Sequence, residues 1–226
     1  MYEERRSRVA GAVVWSRRAE PAGAGAARVL PDGCMDLIWM DGGLVVAGPD
    51  TVAHLASGQR GADYVGIRFA PGTGPAVLGV PAVELRDRRV PLGDLWPGAA
   101  ELAERMAEAD DPGRLLEEVA AARLREAEPD PVARLVAQGL ARGTGVAALA
   151  YEVGLSDRQL YRRSVAAFGY GAKTLGRVLR LGRALELARA GRPLAEVAAT
   201  AGYADQAHLS REVRGLAGVP MGELLR

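Results

Sequence analysis

Two short segments of the chain carry side chains whose types suit the edges of base pairs. Arg158, Tyr161 and Arg162 stand in the first, and Gln206, His208 and Arg211 in the second. At helical spacing on an exposed face, a guanidinium can grip guanine O6 and N7 with two hydrogen bonds, and a glutamine amide can grip adenine. Each good pair gives about 1–3 kcal/mol of discrimination. Arg163, Arg177, Arg180 and Arg214 suit phosphates or structural charges, which set affinity and salt dependence; Arg177, Arg180 and Arg183 read equally as the solvated face of a helix. A second chemistry is set by Asp36 and Arg68, charges inside otherwise apolar runs. Each wants a partner, and two readings stay open: a structural ion pair or exposed strand face, or the lining of a pocket. Trp15, Trp39 and Tyr64 can wall such a pocket or simply fill a core.

Other chemistries are poorly served. Cys34 is the only cysteine, and His54 and His208 are the only histidines, so no disulfide forms within the chain and no set of nucleophile, base and orienting group is recognisable. Cys34 reads as a small buried side chain. No His-x-His or Cys-x-x-Cys pair suggests a metal, no cofactor is implied, and no catalytic residue is expected. The single cysteine fits a reducing compartment. The opening Met-Tyr-Glu-Glu-Arg-Arg lacks the apolar stretch of a signal peptide, and no uncharged apolar run approaches the ~18 residues of a membrane span. A soluble cytoplasmic protein without a membrane partner is expected.

The elements that must position these residues fall into two parts. The 226 residues, 49% hydrophobic and 25% charged, have ordinary globular composition. The net charge of +1 hides a segregation: residues 129–226 hold 14 basic and 8 acidic side chains, and residues 1–128 hold 15 and 20. A basic C-terminal part beside an acidic N-terminal part points one of them at a polyanion. Up to Phe69 short β-type runs, Ala12–Trp15, Ala27–Leu30, Met35–Met40, Leu44–Ala47 and Tyr64–Phe69, alternate with Gly, Pro and Asp punctuation. They predict a small sandwich or barrel. From Gly72 onward apolar residues recur at helical steps. Pro129 and Pro131 mark the boundary, the one ending a helix and the other able to open the next.

Beyond it the chain repeats itself. Leu149-Ala150-Tyr151-Glu152-Val153-Gly154 matches Val197-Ala198-Ala199-Thr200-Ala201-Gly202 at an offset of 48, and Leu160-Tyr161-Arg162 matches Leu209-Ser210-Arg211 with one extra residue. Gly169 and Gly218 close the two units. Each unit reads as helix, tight turn and helix. The alanine permits close approach, the glycine supplies a left-handed residue, and Ser156 or Asp157 in one unit and Asp205 in the other cap the following helix. A long helix over about Lys173–Ala190 joins the units.

Gly202-Tyr203-Ala204-Asp205-Gln206 through His208-Leu209-Ser210-Arg211, ending in Gly218-Val219-Pro220, resembles the second motif of AraC/XylS-type transcriptional regulators; Gly154-Leu155-Ser156-Asp157-Arg158-Gln159-Leu160-Tyr161-Arg162 resembles the first. The resemblance covers about residues 131–226. It implies two recognition helices, about Asp157–Phe168 and Asp205–Leu216, entering successive major grooves of double-stranded DNA some 34 Å apart, with Arg158, Tyr161, Arg162, Gln206, His208 and Arg211 facing bases or phosphates. One departure stands out: the apolar anchor four residues after Leu160, usually phenylalanine in the family, is Ser164, and its counterpart is Val213. Leu30-Pro31-Asp32-Gly33-Cys34-Met35-Asp36-Leu37-Ile38-Trp39, together with Val65–Gly72 and Leu78–Pro81, resembles a little-characterised N-terminal domain of one branch of these regulators, over about residues 9–125.

The expected fold is therefore α+β. A β-barrel-like sensor with flanking helices spans residues 1–128, and an all-α domain with two helix-turn-helix motifs spans residues 129–226. The resemblance implies a regulator more often activating than repressing, with RNA polymerase and a second copy of the chain as partners and a small-molecule effector in the sensor. The alternative is an N-terminal domain serving only dimerisation or protein contacts. Trp15, Asp36, Trp39, Tyr64 and Arg68 are the candidate effector-pocket residues. Binding of residues 129–226 to promoter DNA is expected to fall steeply with salt, as a negative log–log slope in a titration, and Cys34→Ser is expected to leave the binding of the full chain intact.

Overall fold

The computed structural model describes residues 2–18, 27–56 and 63–226. In the N-terminal part, eight strands are found among these residues: β1 (Tyr2–Arg6), β2 (Ala12–Arg18), β3 (Ala27–Val29), β4 (Met35–Met40), β5 (Gly43–Ala47), β6 (His54–Ala56), β7 (Asp63–Phe69) and β8 (Arg89–Pro91). Six of them form one sheet in the order β1-β2-β7-β4-β5-β8, and β3 and β6 pair only with each other. The β4–β5 hairpin turns on Asp41 and Gly42, both at positive φ (50° and 74°), as a two-residue turn that follows the strand twist requires.

The expected barrel does not close; the sheet is open. β8 has only three residues and ends in Pro91, which has no N–H to donate, and the β3–β6 ribbon stands apart from both edges. The short strands β1, β6 and β8 were not legible as apolar runs. β1 is Tyr-Glu-Glu-Arg-Arg and wholly exposed. β8 interrupts the stretch expected to be helical from Gly72 onward.

One face of the sheet carries the core. Val14, Leu37, Val46, Ile67, Phe69 and Val90 meet side chains from α1 (Gly74–Leu78), α2 (Ala99–Glu108) and α3 (Pro112–Glu126), among them Val77, Met106, Leu116 and Ala120. Period-two alternation sends the other residues of β2, β7, β4 and β5 to the opposite face.

The C-terminal part is helical: α4 (Pro131–Ala141), α5 (Val146–Glu152), α6 (Asp157–Phe168), α7 (Ala172–Arg189), α8 (Leu194–Ala201), α9 (Gln206–Ala217) and α10 (Met221–Leu224). α5 and α6 are the first repeat unit, α8 and α9 the second. Gly154 (φ 67°) and Gly202 (φ 87°) occupy the left-handed conformation at the two turns, with nothing within 4 Å of a notional Cβ. Ser156 rather than Asp157 caps α6, in a reciprocal box with Gln159, and Asp205 caps α9 through the His208 N–H at 2.6 Å.

α7 serves two cores. Its first turns, Ala172 and Leu175, join Leu149, Leu160 and Phe168; its later residues, Leu181, Ala184, Leu185 and Ala188, join Val197, Leu209 and Val213. Gly139 of α4 lets Leu149 approach to where a Cβ would be 2.3 Å from its methyl. Ser164, the departure from the family pattern, is 2% exposed and its hydroxyl has no hydrogen-bond partner. Ser164→Ala is expected to raise stability by about 1 kcal/mol, because it removes an unsatisfied buried hydroxyl while leaving the backbone unchanged; a lowered thermal midpoint would contradict that account.

Candidate functional site

On α6, Arg158, Tyr161 and Arg162 are exposed. On α9, Gln206 and Arg211 are exposed, while His208 is only half-exposed. Among the described residues, Arg158, Arg162 and Arg211 have no ion-pair partner. Their charges stand in water and are available to a polyanion. Tyr161 is 63% exposed and its ring lies against Gly171, where a Cβ would be 2.9 Å away. His208 is turned inward: its Nδ1 accepts from the Ala204 N–H at 3.3 Å, and its ring meets Tyr203 edge-on at 5.3 Å. That nitrogen is occupied in holding the turn before α9.

The arginines of α7 hold the second unit together. Arg177 and Arg180 bind Glu212 of α9 at 2.6 and 2.8 Å, and Arg180 lies 4.7 Å over the Tyr203 ring. Arg183 donates to the carbonyls of Ala141 and Ala201, at the ends of α4 and α8. Arg163 pairs with Asp130 at 2.6 Å. A solvated helix face was one reading of Arg177, Arg180 and Arg183; the partner missed in sequence is Glu212, an isolated acid in a basic stretch. Removing one member of such a part-buried pair costs more than removing an exposed one.

The N-terminal part touches both units at the C-terminal ends of α6 and α9. Arg86 donates to the carbonyl of Gly169 at 3.3 Å, and Gly169 itself packs against Pro49. In the second unit, Arg28 of β3 donates to the carbonyl of Ala217 at 2.8 Å, and the Ala53 N–H, just before β6, donates to Leu216 at 2.7 Å. Cations and N–H groups suit these positions because the last carbonyls of a helix are unpaired and carry its negative end. Leu30, which follows β3, packs on the core of the second unit.

Between the sheet and the β3–β6 ribbon lies a cavity of about 660 Å³. Strand register arranges its floor in three rows: Arg68, Asp36, Ala47 and Arg89; then Trp15, Gly66, Ile38, Val45 and Pro91; then Arg17, Tyr64 and Met40. The β3–β6 ribbon closes it with Ala27, Val29, His54 and Ala56. Gly66 is what makes the first two rows meet. A Cβ there would lie 2.5 Å from the Trp15 ring, so the indole lies across β7 and donates from Nε1 to Asp36 Oδ1 at 2.6 Å.

Asp36 and Arg68 are cross-strand neighbours, with Nε 3.2 Å from Oδ1. They are both an ion pair and cavity lining. Trp15, Asp36, Tyr64 and Arg68 thus line the cavity as expected of pocket residues, but Trp39 does not. It shares the Met35 and Leu37 face of β4 and packs on the helix-side core, because its odd position puts it opposite Asp36. Cys34, just before β4, also lines the cavity, and its thiol is pushed well above its usual range by burial and by the charges of Asp32 and Asp36. That disfavours the thiolate required for nucleophilic chemistry. His54 lies exposed on the ribbon. Among the described residues no three His, Cys, Asp or Glu side chains are grouped to hold a metal ion, and no helix is long and apolar enough to cross a membrane.

A helix-turn-helix domain model matches residues 149–226, spanning both repeat units. The C-terminal region is an AraC-type helix-turn-helix domain. The model of a domain of unknown function, DUF6597, matches residues 12–91, from β2 through β8. Among solved structures, the chain is similar to the apo form of a ToxT variant from Vibrio cholerae strain SCE256 (12% identity, 97% of this chain and 98% of that one, TM-score 0.49). It is also similar to ToxT from Vibrio cholerae O395 (10%, 95% and 97%, 0.48) and to wild-type ToxT of strain SCE256 with a bound unsaturated fatty acid (10%, 98% and 97%, 0.46). No curated protein matches the sequence. In the AraC-type domain both units are fully formed, and the first keeps its core around Phe168 despite Ser164.

Burial pushes the Asp36 carboxyl up to about 6, against the pull of Arg68. A carboxyl raised on folding stabilises the fold fully below its unfolded value of 3.8, and that contribution is lost as pH rises through about 6. Relative to Asp36→Asn, the wild-type chain is therefore expected to lose unfolding free energy on the order of 2–3 kcal/mol between pH 4 and pH 7, at about 1.4 kcal/mol per pH unit of displacement. Denaturant unfolding of both proteins across that range measures the difference.

Proposed function

We propose that the protein is a cytoplasmic, sequence-specific DNA-binding transcriptional regulator. In this reading residues 129–226 are the reader and residues 1–128 the sensor, whose cavity admits a small molecule. The observation that carries it is the pairing of two exposed recognition faces, on α6 and α9, with a separate cavity-bearing part that grips the far end of each of those helices. Arg158 and Arg162 on the first helix, and Gln206 and Arg211 on the second, are the assigned base and phosphate contacts. Tyr161 joins them from the edge of the first face. His208 acts mainly by positioning the start of α9.

The length of α7 supports simultaneous reading. Its 18 residues extend about 27 Å at 1.5 Å per residue, and recognition helices on one duplex face are about 34 Å apart. Both turn glycines are open to solvent, so neither turn is covered by the sensor.

Gating requires that an occupant of the cavity favour one arrangement of the readers over another, since equal affinity for both shifts nothing. The ribbon supplies the route: Ala27 and Val29 line the cavity, while Arg28 between them holds the end of α9. The existence of the cavity favours this reading over an N-terminal part that serves dimerisation alone.

Arg211→Ala and Arg158→Ala are each expected to weaken operator binding by about 1–3 kcal/mol and to relax preference at the positions they face. Fluorescence anisotropy against the operator, located first by genome-wide mapping of bound DNA, measures this. Wild-type affinity in both variants would remove the assignment of α6 and α9 as readers.

A further inference from the structure

The six-stranded sheet ends differently at its two edges. β8 is three residues long and closes on Pro91, which has no N–H to offer a further strand. β1 is five residues long, contains no glycine or proline, pairs with β2 in unbroken register and is exposed at every position. Among the described residues no strand lies beyond it, so one row of its backbone N–H and C=O groups faces outward. An edge of this kind is a template for another strand.

Its side chains indicate which strand. Tyr2-Glu3-Glu4-Arg5-Arg6 carries its acids before its bases. Two copies laid parallel and in register would set acid against acid, whereas two laid antiparallel set the acidic half of one against the basic half of the other. A two-fold axis normal to the sheet keeps like faces together, so directly opposed residues have the same parity. Only one such register pairs all five residues: Tyr2 opposes Arg6, Glu3 opposes Arg5, and Glu4 meets its own copy on the axis. Glu3 and Arg6 have no ion-pair partner among the described residues of their own chain. On the helix-side face Glu3 meets Arg5 of the second copy, which holds Glu117 at 3.0 Å yet keeps 46% of its side chain exposed. On the cavity face Arg6 stands opposite the Tyr2 ring and diagonal to Glu4 of the other copy, within reach of a long side chain. Each Glu4 carboxylate lies 3.6 Å from Arg68 of its own chain, and the two on the axis are flanked by the two Arg6 guanidiniums. Acid and base thus compensate along the whole seam.

We infer that two copies of the chain join edge to edge through β1, with the two-fold axis at Glu4, so that their six-stranded sheets run on as one. Tyr2 lines the sensor cavity, and the join therefore brings Arg6 of the second copy to the rim of each cavity. Five residues a side make a small interface against the roughly 1,200 Å² that stable complexes bury. The association is reversible and grows with concentration.

The join needs neither DNA nor a ligand, so the full chain alone tests it. In a Cys34→Ser background a single cysteine is placed on the axis, Glu4→Cys, or at a site of similar exposure before β6, Val52→Cys, and each protein is mildly oxidised. Directly opposed residues of an antiparallel pair have Cα atoms about 4.5–5.5 Å apart, inside the disulfide range of about 4.4–6.8 Å. Glu4→Cys is expected to form a covalent dimer on the order of tenfold faster than Val52→Cys, because only there are the two thiols held in bonding range. Adding Glu3→Arg, which sets base against base, is expected to slow that cross-link roughly fivefold. Should Glu3→Arg shift the thermal midpoint, Arg6→Glu, which sets acid beside Glu4 of the second copy, is expected to slow it equally. Oxidation at position 4 no faster than at position 52 would overturn the join, and so would a rapid cross-link that neither charge reversal slows.

Discussion

A single helix shared between two hydrophobic cores fixes the geometry of the C-terminal region. α7 gives Ala172 and Leu175 to one core and Leu181, Leu185 and Ala188 to the other. Neither unit can move relative to its neighbour without bending the helix or stripping apolar side chains from one of the cores, and close-packed interiors resist both. The arginines along α7 reinforce this from the outside. Arg177 and Arg180 converge on Glu212, and Arg183 ties the ends of α4 and α8. The distance between the recognition helices is thereby built into the fold before any DNA is present.

The N-terminal part obeys a different constraint, set by the pleat. One face of its sheet packs on α1, α2 and α3 and is mostly apolar, with Arg5 of β1 paired to the buried Glu117 of α3 at 3.0 Å. The other must be lined by the alternate residues of the same strands, and these include Asp36, Arg68 and Arg89. Charges at such positions are tolerated because they pair across adjacent strands and because Gly66 leaves room for the Trp15 indole to hydrogen-bond Asp36. The cavity exists because, among the described residues, no helix covers this face; the small two-stranded ribbon does.

Much of this was legible in the residues because it rests on local rules. The period of 48 between the two units, the capping residues before α6 and α9, and the Gly, Pro and Asp punctuation between the strands are short-range signals that tertiary context did not override. Strand alternation over Met35–Met40 puts Asp36, Ile38 and Met40 on the cavity face and Met35, Leu37 and Trp39 on the core face, so grouping Trp39 with Trp15 as pocket wall misplaced it. What the sequence withheld was long-range. β1 and β8 are strands only because a neighbouring strand pairs with them, and their own composition says little. Glu212 takes its meaning from two arginines more than thirty residues away. Arg28 and Arg86 look like ordinary surface charges until the two parts of the chain are brought together. The open edge of the sheet follows from pairing partners that no single run of residues encodes.

The two grips on the reading helices are unequal in kind. At the first unit, Gly169 is buried against Pro49 and the backbone of Ala82, a close-packed seam with little give. At the second, the hold runs through a ribbon of three residue pairs that is also a wall of the cavity. A wall of the cavity and a hold on the end of α9 are thus one and the same element.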